Sequence, residues 1–383
     1  MKIAIASDWF APRRGGIEAQ LLRLAEGLAA RGNDVDVITS TPGADGEHER
    51  GFRVRRLEGW TLPRLQLAAS PIVFASLRRE LGRRYDVVHA HVSVVSPVGY
   101  AAAAIARAMG LPTVVTFHSI LRHKRHVLRA VNALVSLKDT AVVWTAVSEL
   151  VAEQVRRALG RAEVGTLPNG IDSAFWAAAR TGASKGSRRS VTLVSAMRLQ
   201  RKKRPRQLLA SFAHAAARMV VPSRLVVVGD GPERRAIERD IRDLGLDHGH
   251  ATAEMLGWLS PESLRSVYAE ADGFVTASTR ESFGIAALEA VAAGLPVIAM
   301  KDTGSSEFLL DGDNALLCDN DDHLVQSLAR FIDDVQLRAR LASHTVSMGR
   351  YEWSNVLREH EVAYRRATMR SAALGGVAGA VVA

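Results

Sequence analysis

Apolar residues along this chain gather in short runs that alternate with longer stretches of helical period. Runs at Lys2–Ala6, Val35–Thr39, Val87–His91, Thr113–Phe117, Ala141–Val147 and Val164–Leu167 read as strands buried on both faces, with helical patterns between most of them. The first helix opens after Gly15-Gly16, carries Ile17, Leu21, Leu24 and Leu28 on one face, and stops at Gly32, where glycine suits the turn that ends a helix. Strand and helix in alternation predict a doubly wound parallel sheet.

The pattern breaks over Pro168–Arg189. A Pro/Asn/Gly turn there runs into Thr181-Gly182-Ala183-Ser184-Lys185-Gly186-Ser187, a linker composition. Strand-like runs resume at Val191–Ser195, Arg224–Val228, Phe274–Thr276 and Pro296–Ala299, and Ser260-Pro261 opens one of the intervening helices. The prediction is a Rossmann-like domain over 1–168, a linker over 169–189 and a second Rossmann-like domain over 190–352. A C-terminal helix over 353–370 is expected to pack back toward the N-terminal domain, ahead of a flexible tail over 371–383. The fold class is α/β, with two doubly wound domains facing across a cleft at the carboxyl ends of their strands.

Composition narrows the classes. At 383 residues and 48% hydrophobic content the chain exceeds one ordinary core. No run of about 18 apolar residues occurs, and the N-terminal Met1-Lys2-Ile3-Ala4-Ile5-Ala6-Ser7-Asp8 is a strand rather than a signal peptide. The single cysteine, Cys318, has no partner for a disulfide or a zinc site, which suits a reducing compartment. These features predict a cytoplasmic protein, soluble or peripheral on the inner face of a membrane. The net charge of +10 implies a polyanionic partner, and much of the excess lies at Arg78–Arg84, Arg122–Arg129 and Arg198–Arg206. Aromatic content is 5% and no basic stretch is interleaved with aromatics, which argues against nucleic acid.

Three segments after strand ends carry candidate chemistry. Gly15-Gly16-Ile17-Glu18 opens a helix where small residues let amides approach a phosphate. Arg198 and Lys203, past the first strand of the second domain, could clamp a diphosphate and stabilise it as it departs. The third segment, Arg280-Glu281-Ser282-Phe283-Gly284-Ile285-Ala286-Ala287-Leu288-Glu289-Ala290, is the most specific. Glu289 falls on a helix otherwise built of Ala, Leu and Val, where a carboxylate is costly unless a ligand such as a ribose satisfies it. Free amides over Ser282, Phe283, Gly284 and Ile285 suit phosphate or sugar oxygens.

With these motifs in order, the chain resembles the family-4 retaining glycosyltransferases of the GT-B fold over nearly its whole length. The resemblance rests on Gly15-Gly16, Thr116-Phe117-His118-Ser119, Val147-Ser148-Glu149, Leu167-Pro168-Asn169-Gly170-Ile171-Asp172, Arg198 with Lys203, Val228-Gly229-Asp230-Gly231-Pro232, and the paired glutamates. It implies that Arg198 and Lys203 hold the donor diphosphate, Glu289 the ribose and Glu281 the donor sugar. It places His118 near the reacting centre, Gly16 on the phosphate or acceptor side, and the base against Gly257-Trp258 and the turn after Gly229. Ala196-Met197 stands where the family often has a glycine before the arginine.

The reaction so implied is a same-face displacement. A donor phosphate oxygen helps deprotonate the acceptor hydroxyl, and the sugar passes through an oxocarbenium-like state. No cofactor is expected beyond a UDP- or GDP-linked sugar as co-substrate, and no metal. Asp311-Gly312-Asp313-Asn314 and Asp319–Asp322 lack the remaining spacing of a calcium loop and read as a turn and a helix cap. The acceptor is expected to be a glycan, a lipid-linked or a phosphorylated molecule, with Gly15, His89 and His91 on its side; buried packing is the other reading of His89. Arg122, His123, Lys124, Arg125 and His126 follow His118 and make an anionic membrane surface a candidate partner, with a solvated helix face as the other reading. A nucleotide-sugar hydrolase or epimerase of the same architecture, and a non-catalytic nucleotide-binding module, are the alternatives.

Overall fold

The computed structural model describes residues 1–383 except 14, 44–45, 49, 60, 63–66, 69, 122–141, 161–162, 182–189, 345 and 382–383. Two compact units result, Met1–Gly170 together with Trp353–Ala383, and Ile171–Glu352.

The N-terminal unit threads β1 (Lys2–Ser7), α1 (Gly16–Ala30), β2 (Asp34–Thr39), β3 (Gly46–His48), β4 (Phe52–Arg56), the small hairpin β5 (Thr61–Leu62) and β6 (Leu67–Ala68), and α2 (Pro71–Leu81). It continues through β7 (Val87–Val92), α3 (Pro97–Ala108), β8 (Thr113–Phe117), β9 (Val142–Ala146), α4 (Glu149–Leu159) and β10 (Gly165–Thr166). Its sheet runs β10-β9-β8-β7-β1-β2-β4-β3, parallel except at β3. Successive β1 residues enter opposite cores: Ile3 and Ile5 join one cluster, Ala4 and Ala6 the other. That double burial is why the strand reads as an unbroken apolar run.

The C-terminal unit begins with α5 (Ser173–Ala177) and a 3₁₀ turn over Ala178–Thr181. Residues 171–181, assigned to the linker between the Pro168-Asn169-Gly170 turn and the Gly/Ser-rich stretch, are thus built into this unit. Trp176 is buried against Tyr268, ring centroids 5.5 Å apart, and that contact holds them. The sheet follows as β11 (Val191–Ala196), β12 (Ser223–Val228), β13 (Ala251–Gly257), β14 (Gly273–Thr276), β15 (Val297–Met300) and β16 (Ala315–Cys318). The interleaved helices are α6 (Pro205–Ala216), α7 (Arg234–Asp243), α8 (Pro261–Glu270), α9 (Ile285–Ala292), α10 (Asp321–Asp333) and α11 (Val335–Ser343). The order is β13-β12-β11-β14-β15-β16, all parallel.

The final helix, α12 (Trp353–Val381), belongs to the N-terminal unit and extends into the segment expected to be a tail. Tyr364 and Ala367 are fully buried in the cluster that holds Ile3 and Ile5. The acidic stretches are a turn and a cap: Asp311 accepts from the Leu317 amide at 2.9 Å, and Asn320 caps α10 through the His323 amide at 2.9 Å.

Candidate functional site

In the C-terminal unit the strand order reverses between β11 and β14, so the loops after these strands diverge and open a crevice at their carboxyl ends. Arg198, just past β11, is exposed, and among the described residues its guanidinium has no partner. Lys203 ends a short 3₁₀ turn and pairs with the Glu281 carboxylate from the loop after β14, which joins the two sides of the crevice. Arg204, in left-handed backbone (φ 55°), pairs with Asp321 at 2.6 Å and donates to the Ala277 carbonyl at 3.3 Å, fixing the Lys203 turn to the end of β14.

The adjoining loops supply backbone. Gly229 follows β12 at φ 132°, and a Cβ there would lie 1.8 Å from the Met197 carbonyl oxygen; only glycine fits. Its amide donates to the Gly257 carbonyl at 2.7 Å, joining the turns after β12 and β13. Trp258, next to Gly257, is half exposed. Gly284, at φ 94°, precedes α9, whose first amides lack intrahelical acceptors. The Phe283 side chain is buried against Phe308 and Tyr351, at 5.8 and 5.7 Å, so its backbone is the part the sequence reading assigns to a ligand.

Glu289 sits one turn along α9 with Leu288 and Ala290 buried beside it. Its carboxylate has no hydrogen-bond or ion-pair partner among the described residues, and desolvation pushes it up to about 8. An acid so placed gains from ligand hydroxyls that donate to it.

In the N-terminal unit the sheet reverses between β1 and β7. Gly15 and Gly16 start α1 as read from the sequence, but the Glu18 carboxylate lies against Gly15 and pairs with Arg13 at 3.0 Å. The positive end of α1 therefore already faces a carboxylate of its own chain. His89 is fully buried, bonded to Tyr364 at 3.0 Å and to Thr116 at 2.7 Å. It does not line an acceptor surface, because both ring nitrogens are engaged inside the fold. His91 bonds His118 at 2.8 Å, and both border a cavity of about 20 Å³ with Thr116, Asn169 and His360. Burial pushes His118 down to about 3 and His360 to about 4, so both imidazoles are neutral.

Asp8 was not singled out by sequence. It follows β1, is fully buried, and accepts from the Val98 and Gly99 amides at the start of α3, at 3.1 and 3.3 Å. Desolvation raises it to about 6. An acid directly after a mostly apolar strand was the available signal. Cys318 is buried, its thiol pushed up to about 11, and so unreactive. Among the described residues no group of three or more His, Cys, Asp or Glu is arranged to hold a metal ion, and no helix is long and apolar enough to cross a membrane. The basic cluster Arg122–Arg129 lies outside the described residues.

A family profile described as Glycosyltransferase Family 4 matches residues 14–175, and one described as Glycosyl transferases group 1 matches 183–346. The chain is 30% identical over 388 residues to a D-inositol 3-phosphate glycosyltransferase of Acidothermus cellulolyticus, covering 90% of this chain and 84% of that protein. It is 26% identical over 372 residues to an alpha-monoglucosyldiacylglycerol synthase of Acholeplasma laidlawii, covering 90% and 91%. The structure of Anabaena HepE in complex with UDP and glucose shares the fold, with a TM-score of 0.73, 22% identity, and coverage of 96% of this chain and 100% of that one. Two Rossmann-like units with these likenesses define a nucleotide-sugar-dependent glycosyltransferase. The chain belongs to glycosyltransferase family 4.

Proposed function

We propose that the protein transfers a hexose or N-acetylhexosamine from a UDP- or GDP-sugar, with retention of anomeric configuration and without a metal ion, to a hydroxyl of a glycan, lipid-linked or phosphorylated acceptor. The observation that carries this is the set of loops after β11 and β14, where Arg198 and Glu289 lack partners among the described residues and Lys203 pairs with Glu281. Arg198 and Lys203 bind the diphosphate and stabilise the charge that builds on it as the glycosidic bond breaks. Glu289 accepts from the ribose hydroxyls. Glu281, oriented by Lys203, accepts from hydroxyls of the sugar, and amides of Ser282, Gly284 and Ile285 meet phosphate or sugar oxygens. The acceptor loses its proton to a phosphate oxygen on the face the nucleotide leaves. His118 serves as a neutral hydrogen-bonding group rather than an acid.

The relatives' names support the acceptor class, since one is a glucosyldiacylglycerol synthase and another an inositol-phosphate glycosyltransferase. An acceptor of either kind fits the net charge of +10 and an anionic membrane surface as partner. Assays with UDP-glucose and GDP-mannose in excess EDTA, with the product's anomeric configuration read by NMR, test the reading. Retention with undiminished transfer is expected; inversion, or loss of activity restored by Mg or Mn, would overturn it. Co-sedimentation with anionic liposomes at low but not high salt is the expected sign of the membrane partner.

A further inference from the structure

The buried hydrogen bonds of the N-terminal unit run in one direction. The Val115 carbonyl can only accept, so Thr145 donates its hydroxyl proton there at 3.0 Å, and Thr116 must then donate to Thr145 at 2.6 Å. Thr116, its proton committed, accepts from His89 Nε2 at 2.7 Å. A neutral imidazole carries one N–H, so His89 Nδ1 accepts from the Tyr364 hydroxyl at 3.0 Å. Both nitrogens of His89 are used, and it offers nothing to His91 although their ring centroids are 3.9 Å apart.

His91 is 4% exposed, and among the described residues its hydrogen-bond partner is His118, Nδ1 to Nε2 at 2.8 Å. Its other nitrogen, Nε2, is buried without a partner among the described residues. Were the shared proton on His118 Nε2, His91 would carry its own on Nε2 as an orphaned buried N–H, the kind of group native structures avoid most strictly. A bare lone pair at that place is the lesser penalty. We propose that His91 is a positioning residue that donates Nδ1–H to His118 Nε2 and so holds His118 in the tautomer protonated on Nδ1. Burial first, and the neighbouring imidazoles second, keep His91 neutral, which makes the choice one between tautomers. His118 then offers a hydrogen-bond donor to a substrate oxygen rather than a lone pair. This last step rests on the role proposed for His118 above; the tautomer itself does not.

The test is ¹⁵N-histidine NMR of the full chain without substrate, with His118 assigned from the signals lost in His118→Asn. The expected spectrum has His118 Nδ1 protonated and Nε2 bare. In His91→Leu the His118 proton should redistribute toward Nε2, and UDP release from UDP-glucose should lose about tenfold in kcat with little change in KM. His91→Asn, whose amide N–H can stand near the Nδ1 position, should restore both readouts to within a few-fold. A proton on His118 Nε2 in the wild type overturns the tautomer, and that spectrum decides it whatever the stability of the Leu variant. A redistributed proton with unchanged kcat in His91→Leu overturns the positioning role. Wild-type turnover in His118→Asn removes the catalytic role of His118 and leaves the tautomer standing.

Discussion

At the carboxyl edge of the N-terminal sheet, polar side chains bond one another: Tyr364, His89, Thr116 and Thr145 form a closed chain, and Asp8 meets the first amides of α3. At the same edge of the C-terminal sheet, Arg198 and Glu289 lack partners among the described residues, and Gly229 and Gly284 hold backbone open around them. The chain from Tyr364 to Thr145 is satisfied as folded. The second edge leaves a carboxylate unpaired among the described residues in a desolvated place, which is tolerated where a ligand can pair with it.

The strongest way to break this contrast is to remove charge from the open edge. Arg198→Ala and Lys203→Ala should each lower kcat by on the order of a hundredfold, since their charge is needed most as the diphosphate departs. Arg198→Ala should leave thermal stability unchanged, its guanidinium being exposed and without a described partner. Near-normal steady-state kinetics in both variants would place the donor elsewhere.

Backbone comes next. Gly229→Ala meets both φ 132° and the Met197 carbonyl, and should destabilise by about 2 kcal/mol or more in urea unfolding. Gly32, at φ 81° with open space around it, should cost only about 1 kcal/mol as Ala. Equal costs would show that the turn after β12 is not under close constraint.

The smallest effect is a pH dependence. Glu289 has a folded pKa raised from 4.5 to about 8, so its contribution to stability is fully present below 4.5 and lost as pH rises through about 8. Asp8 acts in the same sense from 3.8 to about 6. The buried imidazoles, held below their usual 6.5, act in the opposite sense below that pH. The ligand-free protein should therefore lose Tm between about pH 6.5 and 8, and Glu289→Gln should flatten that fall. A Glu289→Gln profile parallel to the wild type's would show that Glu289 is not desolvated.

Much of the fold was legible because double burial leaves strands such as β1 and β8 unbroken in the sequence. Strand β4 was not: Phe52 and Val54 point inward while Arg53 and Arg55 are more exposed, so the run looks polar. The open edge was legible too, since Arg198, Lys203, Glu281 and Glu289 lie in two short segments. The closed edge was not, because its bonds are long-range. His89 and Tyr364 are 275 positions apart, and only the return of α12 to the N-terminal sheet brings them together. Of the two readings of His89, buried packing is the one its bonds fit for that reason.

The most direct measurement is calorimetric titration of UDP into the wild type, Glu289→Ala and His118→Ala. The account predicts at least a tenfold loss of affinity in Glu289→Ala and wild-type affinity in His118→Ala, because it assigns the nucleotide to residues of the C-terminal unit. Wild-type affinity in Glu289→Ala, with the loss appearing in His118→Ala instead, would contradict it.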